Sequence, residues 1–302
     1  MTTPVEGRDE GRHAPGLEQL WGESWYFDFF ADDASIGGWV RLGLYPNLAV
    51  AWYHAYVVGP ERVTVAVADL EVPPPTAPGL EIRTHGLWAD HVCETALDHW
   101  TLGNEAFALA VDTPAALYAD VPVGAQVPLG IDLEWETEGT PYHYEATTRY
   151  EIPCRVHGEV LVGDERIDLD GHGQRDHSWG VRDWWQFGWC WTAGRLEDGT
   201  RFHGSDIRIP NVDIGFGYVQ AGEEMTTTNA VDADEAVDGD GFPTEGHVTI
   251  GDLGLDIQPV AFAPALLTWE GKVSRFPRAL CRFRAADGRR GLGWTEWNQP
   301  RH

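Results

Sequence analysis

The sequence predicts an all-β protein of two barrel- or sandwich-like antiparallel sheets, and three observations carry that reading. Short apolar or alternating runs recur along the chain, most of them bounded by Gly, Pro, Asp or Asn. The 35 glycines and 19 prolines are spread without a collagen-like period, as a protein of many turns requires. No amphipathic stretch extends beyond three helical turns. So many strands cannot lie in one sheet without curling or splitting, hence two sheets.

The runs place strands at Ser24 to Phe30, Trp39 to Leu44, Leu48 to Val58, Val63 to Leu70, Ala106 to Val111 and Ile131 to Trp135. They continue at Arg155 to Val162, Trp185 to Trp191, Phe202 to Ile209 and Val248 to Ile257. Glu94 to Trp100 and Phe262 to Trp269 are candidates for short helices. Glu136 to His143 is polar and interrupted by Gly and Pro, and a fresh strand series begins at Tyr150. The expected division is therefore a disordered N-terminus over 1–16, a β-domain over 17–149 and a second over 150–302. Val231 to Phe242 has acids and glycines but misses calcium-loop spacing, so it reads as a solvated acidic loop.

Charge narrows the function classes. Against 21 basic residues stand 48 acidic ones, a net of −27, with Lys272 the single lysine. Such a surface repels phosphate backbones and anionic membranes, which argues against nucleic-acid binding. The polar opening residues lack the apolar core of a signal peptide, and no run reaches membrane-span length. Cys93, Cys154, Cys190 and Cys281 form no CxxC pair and read as thiols of a reducing cytoplasm, the expected location.

One segment carries chemistry. Between Gly171 and Trp185 the chain reads GHGQRDHSWGVRDWW, and five of the 15 tryptophans fall between Trp179 and Trp191. Ionisable groups are thus interleaved with broad π surfaces; a tryptophan-rich core tied by an Arg–Asp network is the bland alternative. From Trp185 onward the odd positions Trp185, Phe187, Trp189 and Trp191 form an aromatic face by period 2. Asp198-Gly199 signals a hairpin. With a two-residue type I′ turn, Trp191 lies opposite Asp206 and Trp189 opposite Arg208. Asp206 then points into the aromatic surface, where desolvation raises its pKa as a general acid needs. Arg208 opposes this, a buried ion pair being the other outcome, and one extra loop residue would reverse every face. His172 and His177 with Asp176 have no HxH or HExxH spacing, so no metal is expected. Ser178 lacks a GxSxG elbow.

GHGQRDHSWGVRDW, followed by an aromatic strand, a DG turn and a strand with Asp, resembles the C-terminal half of carotenoid 1,2-hydratase (hydroxyneurosporene synthase). Its relatives include the fungal lipocalin-type Diels–Alderases and an actinobacterial branch. ESWYFDFFADDASIGGWVRLGLYPN is similar to the opening of that branch. The resemblance implies two consecutive lipocalin-like β-domains with a hydrophobic ligand between or within them. It places catalytic groups at His177, Trp179 and Asp206, with Gly204 where the hydratases have a tyrosine. That glycine implies room for a bulkier substrate.

The expected function is a cofactor-independent hydratase, dehydratase or isomerase of an isoprenoid-like alkene. Asp206 protonates the double bond, His177 orients or deprotonates water, and Trp179, Trp189 and Trp191 stabilise a carbocation. Trp185 and Arg208 complete the substrate pocket, and Arg175, Asp176 and Arg182 support it. The alternatives are a carrier of a terpenoid, steroid or fatty acid, and a pericyclase that works by shape. The expected partner is a hydrophobic small molecule, with no nucleic acid and no integral membrane association.

Overall fold

The structure, a computed structural model, describes residues 5–145 and 147–301. The first sheet contains β1 (Trp21–Ala31), β2 (Gly37–Tyr45), β3 (Val50–Val58), β4 (Thr64–Val72), β5 (Ile82–Thr84) and β6 (Leu87–Thr95). To these it adds β7 (His99–Val111), β8 (Ala125–Thr137), β9 (Tyr142–His143), β10 (Arg149–Val162) and β11 (Glu165–Val181). Its strand order is β4-β3-β2-β1-β11-β10-β8-β7-β6-β5, with β9 on β10. The end of β7 also pairs with β4, Thr64 opposite Val111, so eight strands close into a barrel.

The second sheet contains β12 (Gly188–Leu196), β13 (Arg201–Ile209), β14 (Val212–Ala221), β15 (Glu224–Thr228), β16 (Val231–Val237) and β17 (Pro243–Ile250). It continues with β18 (Leu253–Phe262), β21 (Arg278–Ala285) and β22 (Arg290–Arg301), flanked by β19 (Ala265–Trp269) and β20 (Lys272–Phe276). The architecture is all-β, as the turn punctuation predicts.

Alternation explains how the two sheets meet. On β1, Trp25, Phe27 and Phe29 enter the barrel core, while Tyr26 and Phe30 join Trp39, Tyr56, Trp191, Leu280 and Trp294 between the sheets. Both faces of β1 are covered, so it is buried over ten consecutive residues. Each large side chain in that layer contributes roughly 1.5–3 kcal/mol by leaving water.

Several expectations are corrected. The boundary at 149/150 falls inside the first sheet, because β10 pairs with both β8 and β11; the chain changes sheets between Val181 and Gly188. The RDHSWG segment is therefore strand β11 of the first barrel, not part of a C-terminal domain. Residues 1–4 of the expected disordered N-terminus lie outside the described residues. Beyond them, Gly7–Glu10 forms a 3-10 turn whose Glu10 is buried against Arg175. Glu94 to Trp100 holds the β6–β7 turn, and Phe262 to Trp269 runs from the end of β18 through the whole of β19. Val231 to Val237 is a strand rather than a loop, with Asp232 and Asp234 exposed at a sheet edge, where charge discourages further pairing.

The four cysteines are free thiols, and Cys154, Cys190 and Cys281 are buried. A reductant is accordingly expected to leave the thermal midpoint unchanged. A drop of several degrees in a melting experiment would contradict that.

Candidate active site between the two sheets

The β12–β13 hairpin decides where the predicted residues go. Leu196 donates its N–H to the Thr200 carbonyl at 2.8 Å, leaving Glu197, Asp198 and Gly199 as a three-residue loop with Gly199 at φ 86°. Such a loop carries a left-handed glycine and adds one residue to the two-residue turn. The register therefore shifts by one: Trp191 opposes Ser205, and Asp206 opposes Cys190. Asp206 lies on the face away from Trp191, beside Arg208 at 3.4 Å, while Arg208 is held by Glu235. Burial, opposed by Arg208, raises the Asp206 carboxyl. At Gly204, on the same face, an added Cβ would lie 2.9 Å from Ile250, so no extra substrate space exists there.

His177 and Trp179 do not meet Asp206 either. They share a face of β11 with Arg175, inside the first barrel, where His177 stacks on Trp25 with ring centroids 4.4 Å apart. Arg175 binds Glu10 rather than Asp176, which points to the other side of the strand. Among the described residues, Arg182 hydrogen-bonds only the Thr148 carbonyl, at 3.5 Å. Trp185 is buried with its indole N–H on the Leu267 carbonyl, and Trp189 donates to Glu296.

What the fold does bring together lies between the sheets. One cross-strand row runs Glu151, Asp176, Tyr26, Arg41, His54, all facing the second sheet. From that sheet, Trp191 donates its indole N–H to Glu151 Oε1 at 3.0 Å. The Tyr144 hydroxyl sits 2.7 Å from both Glu151 Oε1 and His203 Nε2. Arg149 bridges Glu151 and Asp176 at 2.8 Å each. Burial alone would raise Glu151, but Arg149, His203, Trp191 and Tyr144 hold it below the ordinary carboxylate range. Asp176 goes the other way: burial pushes it up to about 7, against Arg149 and with the help of neighbouring Glu151. Burial pushes His203 down to about 4.

Arg278 occupies the aromatic surface that the sequence reserves for a carbocation. Its guanidinium lies 4.3 Å from the Tyr26 ring centroid, 4.9 Å from Trp39 and 5.4 Å from Trp191. A second cation at Trp191 would be repelled.

Asp28 is the most perturbed carboxyl of the site. It is 1% exposed, accepts the Gln174 N–H at 2.8 Å and the Tyr26 hydroxyl at 3.0 Å, and burial pushes its pKa up to about 8. It lines a narrow crevice together with Phe30, His172, Gln174 and Arg195. Phe30, His172 and Arg195 also line an open cavity of about 1340 Å³, so the crevice runs off that cavity towards Asp28. At the junction, His172 Nδ1 is 2.9 Å from Asp32 Oδ1, a carboxylate that orients the ring. The cavity carries Arg195, Arg282, Arg284 and Arg290 along with several acids. Sequence reasoning missed Asp28, although an acid flanked on both sides by aromatic residues, Tyr26-Phe27 and Phe29-Phe30, is itself a signal. No spacing rule joins it to His172.

A closed antiparallel barrel packed on a second curled sheet, with polar chemistry at their junction, defines a lipocalin-like protein of two β-sheets. The chain belongs to the family described as a domain of unknown function, DUF7064, which it matches over residues 6–301. No curated protein matches it in sequence. Among solved structures it is similar to a protein described as AttH from Nitrosomonas europaea, with a TM-score of 0.68 and 12% identity over 98% of this chain and 97% of that one. It is similar also to kievitone hydratase from Nectria haematococca, with a TM-score of 0.64 and 12% identity over 97% and 92% of the two chains. A third similar structure is CghA, at 0.57 and 11% over 99% and 94%. At these identities the likeness shows the fold. No helix among the described residues is long and apolar enough to cross a membrane.

Proposed function

We propose that the protein is a cofactor-independent acid–base enzyme of the hydratase, dehydratase or isomerase type, acting on an alkene-bearing small molecule held in the 1340 Å³ cavity. The observation that carries this reading is that Asp28 and His172 line one crevice off that cavity. An acid with a pKa of about 8 keeps its proton at neutral pH and can still give it up, which suits a general acid. His172, oriented by Asp32, is placed to take a proton from water. Asp28 replaces Asp206 as the acid, and His172 replaces His177 as the base. Arg278 disfavours a free carbocation on the Trp191 face, so protonation and addition of water are concerted in this reading. Likeness in fold to a hydratase is compatible with it.

The test is isotope incorporation. Terpenoids, steroids and polyenes are incubated with the protein in D₂O or in ¹⁸O-labelled water and read by mass spectrometry. Wild-type protein is expected to label at least one bound ligand; Asp28→Asn and His172→Gln should each lose at least 100-fold of that rate. Asp206→Asn should label at the wild-type rate. Full activity in Asp28→Asn, or no label in any ligand that binds, would leave the carrier reading standing.

A further inference from the structure

We infer that His13, Glu23 and His177 form a binding site for a divalent transition metal of the zinc type, which clasps the N-terminal segment to the first barrel. Three segments supply it: the stretch after the 3-10 turn, β1 close behind it, and the distant β11. One ligand atom from each residue lies within 4.8 Å of the others. Glu23 Oε1 is central, 2.7 Å from His13 Nδ1 and 3.0 Å from His177 Nε2.

The tautomer is fixed by geometry. His177 Nδ1 lies 2.7 Å from the Asp9 carbonyl oxygen, which can only accept, so Nδ1 carries the proton. Nε2 then faces a carboxylate oxygen at 3.0 Å, a contact that either a second proton or a metal cation can bridge, and the titration below separates the two. An N–H donated to a backbone carbonyl by the far nitrogen is also what metal-bound histidines show.

Both rings are held in place. His177 stacks on Trp25, with Tyr150 edge-on, and His13 stacks on Trp179 at 3.8 Å and 9°. Glu23 and His177 are buried, whereas the His13 side chain is 24% exposed, which gives an ion a way in. Two imidazoles and one carboxylate suit zinc and its neighbours better than magnesium or calcium, and three protein ligands leave a position for water. Around such an ion the ligand atoms stand roughly 3.3 Å apart, so Glu23 would move from the two histidine nitrogens by roughly 0.3–0.6 Å. Trp179, assigned to catalysis from the sequence, here holds His13 in place.

The test uses the full chain, stripped with chelator and freed of it. Zn²⁺ titrated by calorimetry is expected to bind at one site with submicromolar Kd and to raise the thermal midpoint by several degrees. Co²⁺ should give visible absorption of a four- or five-coordinate N/O site. His13→Ala lies outside both sheets and should keep the fold by circular dichroism while weakening Zn²⁺ at least 100-fold and abolishing the Co²⁺ bands. Glu23→Gln should behave likewise. No stoichiometric binding by the wild type, or Co²⁺ bands unchanged in His13→Ala, would overturn the site and point to adventitious binding among the twelve histidines.

Discussion

Asp28→Asn is expected to flatten the pH dependence of stability between pH 4 and pH 8 and to raise the thermal midpoint at the upper end. The sign follows from proton counting. Burial holds the native carboxyl at about 8, while in the unfolded chain it titrates near its ordinary value of 3.8. Between those two values the native state binds one proton more than the unfolded state, so stability falls as pH rises, by about 1.4 kcal/mol per pH unit. The contribution is complete below the unfolded pKa and is lost as pH climbs through the native one. Asp176 adds a slope of the same sign up to about 7. From Asp28 alone the loss between pH 4 and pH 8 is on the order of 4 kcal/mol after relaxation of the site. Asparagine cannot titrate and keeps the shape, its amide oxygen still able to accept the Gln174 N–H that Asp28 accepts. Urea unfolding of wild type and variant across that range checks this, and parallel curves would refute it. A residue that costs stability at working pH fits a group kept for its chemistry.

Glu10→Ala is expected to destabilise the protein by about 3–5 kcal/mol, the usual result of leaving a buried charge unpaired. Glu10 is 3% exposed and Arg175 2%, with Nη2 and Oε1 2.8 Å apart. Glu10 Oε2 also accepts the Tyr150 hydroxyl at 2.7 Å and the Trp100 indole N–H at 3.1 Å. Burial would raise the Glu10 carboxyl, but Arg175 wins and holds it low, so the pair loses strength as pH falls through that depressed value. At neutral pH the thermal midpoint should fall by about 10 °C. Adding Arg175→Met should restore most of the loss, because it removes the stranded charge. If the double variant melts with the single one, the cost lies in the lost Tyr150 and Trp100 partners instead.

The all-β class was legible because alternation and turn residues act locally. Trp25, Phe27 and Phe29 against Tyr26 and Phe30 can be read directly off β1. The faces of β13 were not legible, because Asp198-Gly199 suits both a two-residue and a three-residue loop, and the choice reverses every side chain. The site was hidden for a different reason. Asp28 and His172 stand 144 positions apart, and only the pairing of β1 with β11 brings them to one crevice. His13, Glu23 and His177 escape motif spacing in the same way.

Pairing of β1 with β11 also sets a timetable for synthesis. Trp21 finds its partner only when Val181 has left the ribosome, and β12 lies between β13 and β22, whose residues 290–301 come still later. At about 5–20 residues per second, some 120 further residues take roughly 6–24 s. Throughout that interval the first barrel can be closed while Tyr26, Phe30, Trp39 and Tyr56 await the sheet that covers them. The nascent chain therefore displays an aromatic face to the cell before it has a second half to hide it, and chaperone engagement during translation falls in that window.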